Sequence, residues 1–200
     1  MSVDGHHITA PLYAWLTPQE FLDIVEPIRE RASYSFFYEN EYKSLREGWV
    51  LSKYARLAFK NHPYHIRIWD DQFPDGQLRF ENGKGGEEII DYEITQAFKK
   101  PEELAKSKLP GNHGLSPDKL EDVFMESLLC AIEKKAKKHY SVPVNLLVYA
   151  TNISTWGAFY DILVENQERF EPYRKRFKTL SILATSAIRA VQVFPTFKEF

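Results

Sequence analysis

Apolar positions along this chain change period twice. Between residues 17 and 60 they recur at helical spacing, between 64 and 97 they alternate in short runs, and the second half mixes both patterns. Thr17-Pro18-Gln19-Glu20 is a capping box with proline at the first helical position, so a helix is predicted over 18–32. Pro27 falls inside that span and predicts a kink or a shortened helix. A second helix is predicted over about 40–60. Its apolar residues (Leu45, Trp49, Val50, Leu51, Tyr54, Leu57 and Phe59) lie nearly all round, which calls for burial on several sides. Asn61-His62-Pro63 ends it, because the residue before a proline avoids the helical region.

Strand periodicity follows. Tyr64 to Trp69, Gln77 to Glu81 and Glu88 to Ala97 read as three strands, with Asn82-Gly83 and Gly85-Gly86 turning the last two into a hairpin. Residues 99–117 hold three prolines, two glycines and four lysines and predict a mobile loop. Ser116-Pro117 then caps a helix to about residue 139. Val144 to Ala150 is a nearly continuous apolar run of strand length, as in a central buried strand. A helix over 155–168 follows, and Leu180 to Ile188 and Ala190 to Phe194 close the chain as two strands or one interrupted strand. The order predicts an α/β domain with a mixed central sheet flanked by helices on both faces. No linker or repeat divides it. Residues 1–200 are therefore expected to form one domain, with N-terminal helices over 17–60 and a core over about 40–195.

Composition narrows the function classes. A 44% hydrophobic fraction with 14 Phe, 11 Tyr and 4 Trp excludes a disordered or fibrous chain. No apolar run reaches the roughly 18 residues that span a bilayer, and MSVDGHHITAP lacks the basic start and apolar core of a secretory signal. Cys130 is alone, so neither a disulfide framework nor a cysteine metal site is expected, and the cytoplasm is the expected compartment. A net charge of −2 gives no global affinity for phosphates. Positive charge is clustered at Lys134, Lys135, Lys137 and Lys138 and again at Arg174, Lys175, Arg176 and Lys178, and each cluster reads first as a solvated surface. No phosphate-binding glycine loop, dinucleotide fingerprint or zinc signature is present.

The segment IIDYEIT sorts its side chains by alternation. Ile90, Tyr92 and Ile94 point one way, and Asp91, Glu93 and Thr95 the other. One wet face of a sheet accounts for that pattern by itself. A further acid, Asp75, follows Pro74 at the start of the neighbouring strand. If the two strands pair, carboxylates from both come within reach of one hard cation such as Mg²⁺ or Mn²⁺.

The run FPDGQLRFENGKGGEEIIDYEITQA resembles the core of restriction-endonuclease-like proteins of the PD-(D/E)XK superfamily. There, an Asp after Pro opens one strand and an acid-X-Lys triplet lies on the next. The resemblance covers roughly residues 40–150 and implies a metal-dependent nuclease that hydrolyses phosphodiester bonds of DNA or RNA. Pro74-Asp75 takes the first motif and Glu93-Ile94-Thr95 the triplet. Asp91-Tyr92-Glu93 is a second register, which would add Asp91 to the metal ligands Asp75 and Glu93.

Thr95 stands where the family has its lysine. Two substitutes suggest themselves. Lys135 lies in one row with Phe124, Leu128 and Ala131 on the next helix, so it either reaches the acids or snorkels to solvent. Gln96 could hold a water but supplies no charge. Nucleases of this type often add a glutamate from the preceding helix, and Glu47, on one face with Leu51, Tyr54 and Ala58, is the candidate; it could equally pair with an arginine. His113 reads as a loop residue, and His62 and His65 lack metal-ligand spacing. Two functions follow. One is a Mg- or Mn-dependent nuclease; the other is a nuclease-like module that binds or assembles without cutting. Nucleic acid is the partner the resemblance implies, a homo-oligomer is compatible with it, and a membrane is not expected.

Overall fold

In the computed structural model, which describes residues 10–69, 73–81, 86–97, 117–151 and 156–200, Thr17 caps helix α1 (Pro18–Ala32) as its sequence requires. The Thr17 hydroxyl accepts from the Glu20 amide at 3.3 Å, and the Glu20 carboxylate accepts from the Thr17 amide at 2.8 Å. Pro27 does not shorten α1, which runs through it to Ala32. A short helix α2 (Ser35–Tyr38) and a 3₁₀ turn (Asn40–Tyr42) lead into α3 (Lys43–Ala58). The predicted second helix thus begins three residues late. Ten of the eleven positions of α3 from Leu45 to Ala55 are buried, all but Lys53. Gly48 makes that possible: a Cβ there would lie 2.4 Å from Phe21 Cζ and 2.5 Å from Ile68 Cγ2.

Strands β1 (Tyr64–Ile68), β2 (Gly76–Glu81) and β3 (Glu87–Gln96) form an antiparallel meander. Helix α4 (Pro117–Ala136) then crosses to β4 (Val144–Ala150), and α5 (Trp156–Glu165) crosses to β5 (Phe177–Ala184). These crossovers make β3, β4 and β5 parallel. Strands β6 (Arg189–Phe194) and β7 (Lys198–Glu199) return antiparallel. The result is an α/β fold with one seven-stranded mixed sheet in the order β1-β2-β3-β4-β5-β6-β7. Sequence and space agree in order because each connection joins neighbours.

Alternation along β4 divides the core into two layers. Leu147 and Tyr149 join Ile66, Ile68, Leu78, Tyr92 and Ile94 beneath α1 and α3. Leu146 and Val148 face the other way with Met125, Leu128 and Ile132 of α4 and Phe159 and Leu163 of α5. All seven residues of β4 are buried, as its apolar run requires.

Several predicted boundaries are corrected. The third helix ends at Ala136, not near 139, and the fourth ends at Glu165 before a 3₁₀ turn over Gln167–Tyr173. The terminal pair starts at Phe177 and gains the short β7. The predicted turn over 82–85, most of the predicted loop with His113, and the Ser116 cap lie outside the described residues. Among the described residues, no helix is long and apolar enough to cross a membrane.

Candidate functional site

The β2–β3 ladder opens at Gly76 opposite Tyr92, and the residue just outside it is Asp75. Its amide donates to the Tyr92 carbonyl at 3.0 Å, and its carboxylate Oδ2 accepts from the Ile94 amide at 2.6 Å. A side chain thus satisfies the strand amide where the ladder ends, and this fixes the Asp75 rotamer. The Phe73–Pro74 peptide bond that leads into it is cis. Gly76 faces the opposite layer. A Cβ there would lie 2.8 Å from Leu51, so α3 sits close against the start of β2. Glu47, one turn before Leu51, is thereby brought beside Asp75.

Glu93 is fully buried on the α4 face of β3. Lys135, from the last turn of α4, is 8% exposed and directs its ammonium to both acids. It donates to Glu93 Oε1 and lies 3.3 Å from Asp75 Oδ2. Lys138, just past the helix, donates to the same Glu93 oxygen at 2.7 Å. Burial alone would lower Lys135, but the charges of Asp75 and Glu93 outweigh it and hold the lysine above its ordinary value. Burial raises Asp75, with Lys135 opposing and Glu93 adding to the rise. The second oxygen of Glu93, Oε2, is buried and accepts no hydrogen bond among the described residues. The buried Tyr140 hydroxyl lies near Glu93 without a hydrogen bond of full geometry; burial, then the charge of Glu93 and its side-chain interaction with that carboxylate, push the hydroxyl up.

Glu47 is 6% exposed, and burial followed by repulsion from Asp75 pushes it up to about 8. Among the described residues, the cation within ion-pair distance of it is Lys43, at 3.7 Å one turn earlier. Asp75 opens onto a cavity of about 700 Å³ whose wall includes Lys43, Phe73, Lys138, His139 and Tyr140. Lys43 and Lys138 line that cavity beside Asp75, so its wall offers cations to an anion.

Three predicted residues are brought together: Asp75, Glu93 and Lys135, with Glu47 behind Asp75. Two others are not. Asp91 shares the face of Glu93 one rung away, where Gln77 donates to it, and the second register draws no support from that placement. Gln96 falls on the opposite face from Glu93 by alternation, where its carbonyl accepts from the Tyr149 hydroxyl at 3.2 Å. The structure therefore turns Gln96 away from the acids, and Lys135 and Lys138 are the cations that reach them. Thr95 is half-buried two residues past Glu93 on the same face, His62 is exposed, and His65 lies on β1 opposite Arg79. Among the described residues, no three His, Cys, Asp or Glu side chains gather as a metal-binding group.

Sequence reading missed Lys43, Lys138 and Tyr140. One of these carried a signal: Lys43 is four residues before Glu47 and shares a helical face with it. Comparison of the chain with protein-family models, with curated proteins and with solved structures finds no match in any of the three.

Proposed function

We propose that this protein hydrolyses phosphodiester bonds of nucleic acid with a divalent cation, Mg²⁺ or Mn²⁺, at Asp75 and Glu93. The observation that carries this is the meeting of Asp75, Glu93 and Lys135 behind a cavity that Asp75 lines together with Lys43 and Lys138. That trio supplies the chemistry of the family motif that the sequence resembles, with Lys135 entering from α4 where Thr95 cannot serve. The donor set fits a hard cation: Mg²⁺ takes one or two carboxylates and keeps several waters, and Glu93 Oε2 is a buried carboxylate oxygen that no donor meets with full hydrogen-bond geometry, the Tyr140 hydroxyl lying close to it. When bound there, such an ion polarises a phosphoryl oxygen and lowers the pKa of water. Lys135 steadies negative charge on the phosphoryl oxygens, and Lys43 and Lys138 draw the anionic backbone into the cavity. Glu47, at about 8, can give or take a proton near neutral pH.

One observation favours a second reading, a nuclease-like module that binds without cutting. Lys135 and Lys138 both donate to Glu93 Oε1, so the acids are already compensated by protein cations. Cation linkage separates the two readings. A cation that binds only the folded state stabilises it by about 2.7 kcal/mol at a hundredfold excess over Kd, or roughly 5 to 10 °C in Tm for a chain of this size. Millimolar Mn²⁺ is expected to raise the Tm of the parent and to support cleavage of DNA or RNA. Glu93→Gln should abolish both effects, and Lys135→Ala should keep the shift and lose the cleavage. A parent that gains neither stability nor activity from Mn²⁺ or Mg²⁺ would decide for the binding module.

A further inference from the structure

The β1–β3 half of the sheet carries a second chemical feature on the same face as Asp75 and Glu93, beyond the reach of α4. Reading outward from the acids, the next rung holds Asp91, Gln77 and Arg67 side by side, and the one after it Ile89, Arg79 and His65. Two backbone hydrogen bonds between Leu16 and Ile66, at 3.0 and 2.8 Å, add a short strand-like edge beside β1 and set Trp15 opposite Arg67 on this face. Arg67 is held between two indoles, 4.2 Å from the centre of Trp15 and 4.5 Å from that of Trp69. Arg79 lies 4.9 Å from the Trp15 ring. The Gln77 carbonyl accepts from Arg67 Nε at 2.6 Å and from Trp69 Nε1 at 2.9 Å, so these groups hold one orientation.

The charge of this cluster is incompletely answered. Among the described residues, no carboxylate lies within ion-pair distance of Arg67; burial and the charge of Arg79 lower it, and Asp91 across Gln77 opposes them without reversing the direction. Arg79 meets the exposed Glu87 at 3.4 Å, while its Nε is buried without an acceptor. Two adjacent guanidiniums stacked on a shared indole leave forks of N–H donors for an anion, and planar forks suit phosphate. The indoles are half-buried, so they are not sealed from solvent. Successive rungs on one face are about 7 Å apart, which puts Arg67 about 7 Å and Arg79 about 13 Å along the strands from Asp75. That step is comparable to the spacing of successive phosphates in an extended chain.

We propose that the face formed by Trp15, Arg67, Trp69 and Arg79 binds single-stranded nucleic acid and leads its backbone toward Asp75 and Glu93. A single strand is the occupant because stacking on an indole needs an unpaired base, while the guanidiniums take the phosphates. The proposal names the substrate class for the hydrolytic reading above and rests on that reading only for the direction of the strand.

Its test is equilibrium binding of a fluorescent oligothymidylate to the full chain in chelator, where no cation-dependent cleavage occurs. Arg67→Ala/Arg79→Ala is expected to weaken binding at least tenfold. It should also flatten the dependence of log K on log salt by about 1.4, which is two phosphate contacts at about 0.7 each for a single strand. Should that variant fail to fold, Arg79→Gln alone is expected to flatten the slope by about 0.7. Unchanged affinity and slope in the variants would overturn the proposal. So would equal binding of a duplex, or displacement of the oligonucleotide by polyglutamate at equal charge, which would assign the surface to an acidic protein. A parent that cleaves with Mn²⁺ but binds no single strand overturns this proposal and leaves the hydrolytic reading standing. Arginine-dependent binding without any cation response does the reverse.

Discussion

Glu47 is buried on α3 one turn before Leu51, and burial together with Asp75 pushes it up from its ordinary 4.5 to about 8. Between those values the folded protein holds a proton that the unfolded chain has released. Stability from this group is therefore complete below about pH 4.5 and is lost as pH rises toward 8, with a slope of up to about 1.4 kcal/mol per pH unit. Asp75 is raised as well and contributes with the same sign. Glu47→Gln removes the titration while keeping the shape. Urea denaturation between about pH 4.5 and 8.5 should show the variant more stable than the parent at the alkaline end and nearly equal at the acid end; parallel curves would place Glu47 in a polar or paired environment instead. Single residues of the site were legible in the sequence where a local period fixed their direction. Alternation put Glu93 on one face, and the 100° helical step put Lys135 in the row of Phe124, Leu128 and Ala131. Asp91 satisfied the same alternation, and its partner Gln77 follows only from the β2–β3 register, which no local pattern contains. The Trp15–Arg67–Trp69 stack escaped for the same reason, since the Leu16–Ile66 bridge joins segments fifty residues apart.

At the scale of elements, α3 sets the site because it packs close against the sheet, and two glycines allow that approach. Gly76 admits Leu51, and Gly48 admits Phe21 and Ile68. Alanine at position 48 would gain about 1 kcal/mol in helix propensity over glycine. Against that, its Cβ would meet two atoms at 2.4 and 2.5 Å, on side chains that are themselves fully buried. Overpacking of this kind costs about 1–3 kcal/mol and occasionally more. Overpacking wins, and Gly48→Ala should lower Tm by a few degrees, at roughly 2–4 °C per kcal/mol. A variant that melts with or above the parent would mean that α3 rides higher on the sheet and that Glu47 does not reach Asp75. Helices with chemical caps or complete apolar stripes were legible to within a few residues, as α1 was from Thr17 and Glu20. Pro27 does not shorten α1, because a helix packed along one face through Phe21, Leu22, Val25 and Ile28 can absorb one lost hydrogen bond. Ends without a cap signal, at Ala136 and Glu165, were drawn too long.

Across the whole molecule, one sheet supports two apolar layers, and β4 belongs to both. Leu147 and Tyr149 are buried against α1 and α3, and their neighbours Leu146 and Val148 against α4 and α5. Loss of either layer would expose a strand that is buried at all seven positions, so neither layer is stable on its own. The candidate site has the same dependence: Asp75 and Glu93 come from the sheet, Glu47 from one layer and Lys135 from the other. The chain should therefore unfold in a single transition. Leu146→Ala tests this because it opens a cavity only on the α4–α5 side, at a cost of about 2–5 kcal/mol, or roughly 4 to 20 °C in Tm. Trp49 reports from the opposite side, where it is 3% exposed beneath α1. Its fluorescence can be isolated by replacing Trp15, Trp69 and Trp156 with phenylalanine. In that background, Leu146→Ala should move the Trp49 transition and the far-ultraviolet circular dichroism transition by the same amount. If circular dichroism shifts while Trp49 melts at the parent temperature, the layers unfold separately. The meeting of Glu47 and Lys135 at Asp75 would then depend on two independent equilibria rather than one fold.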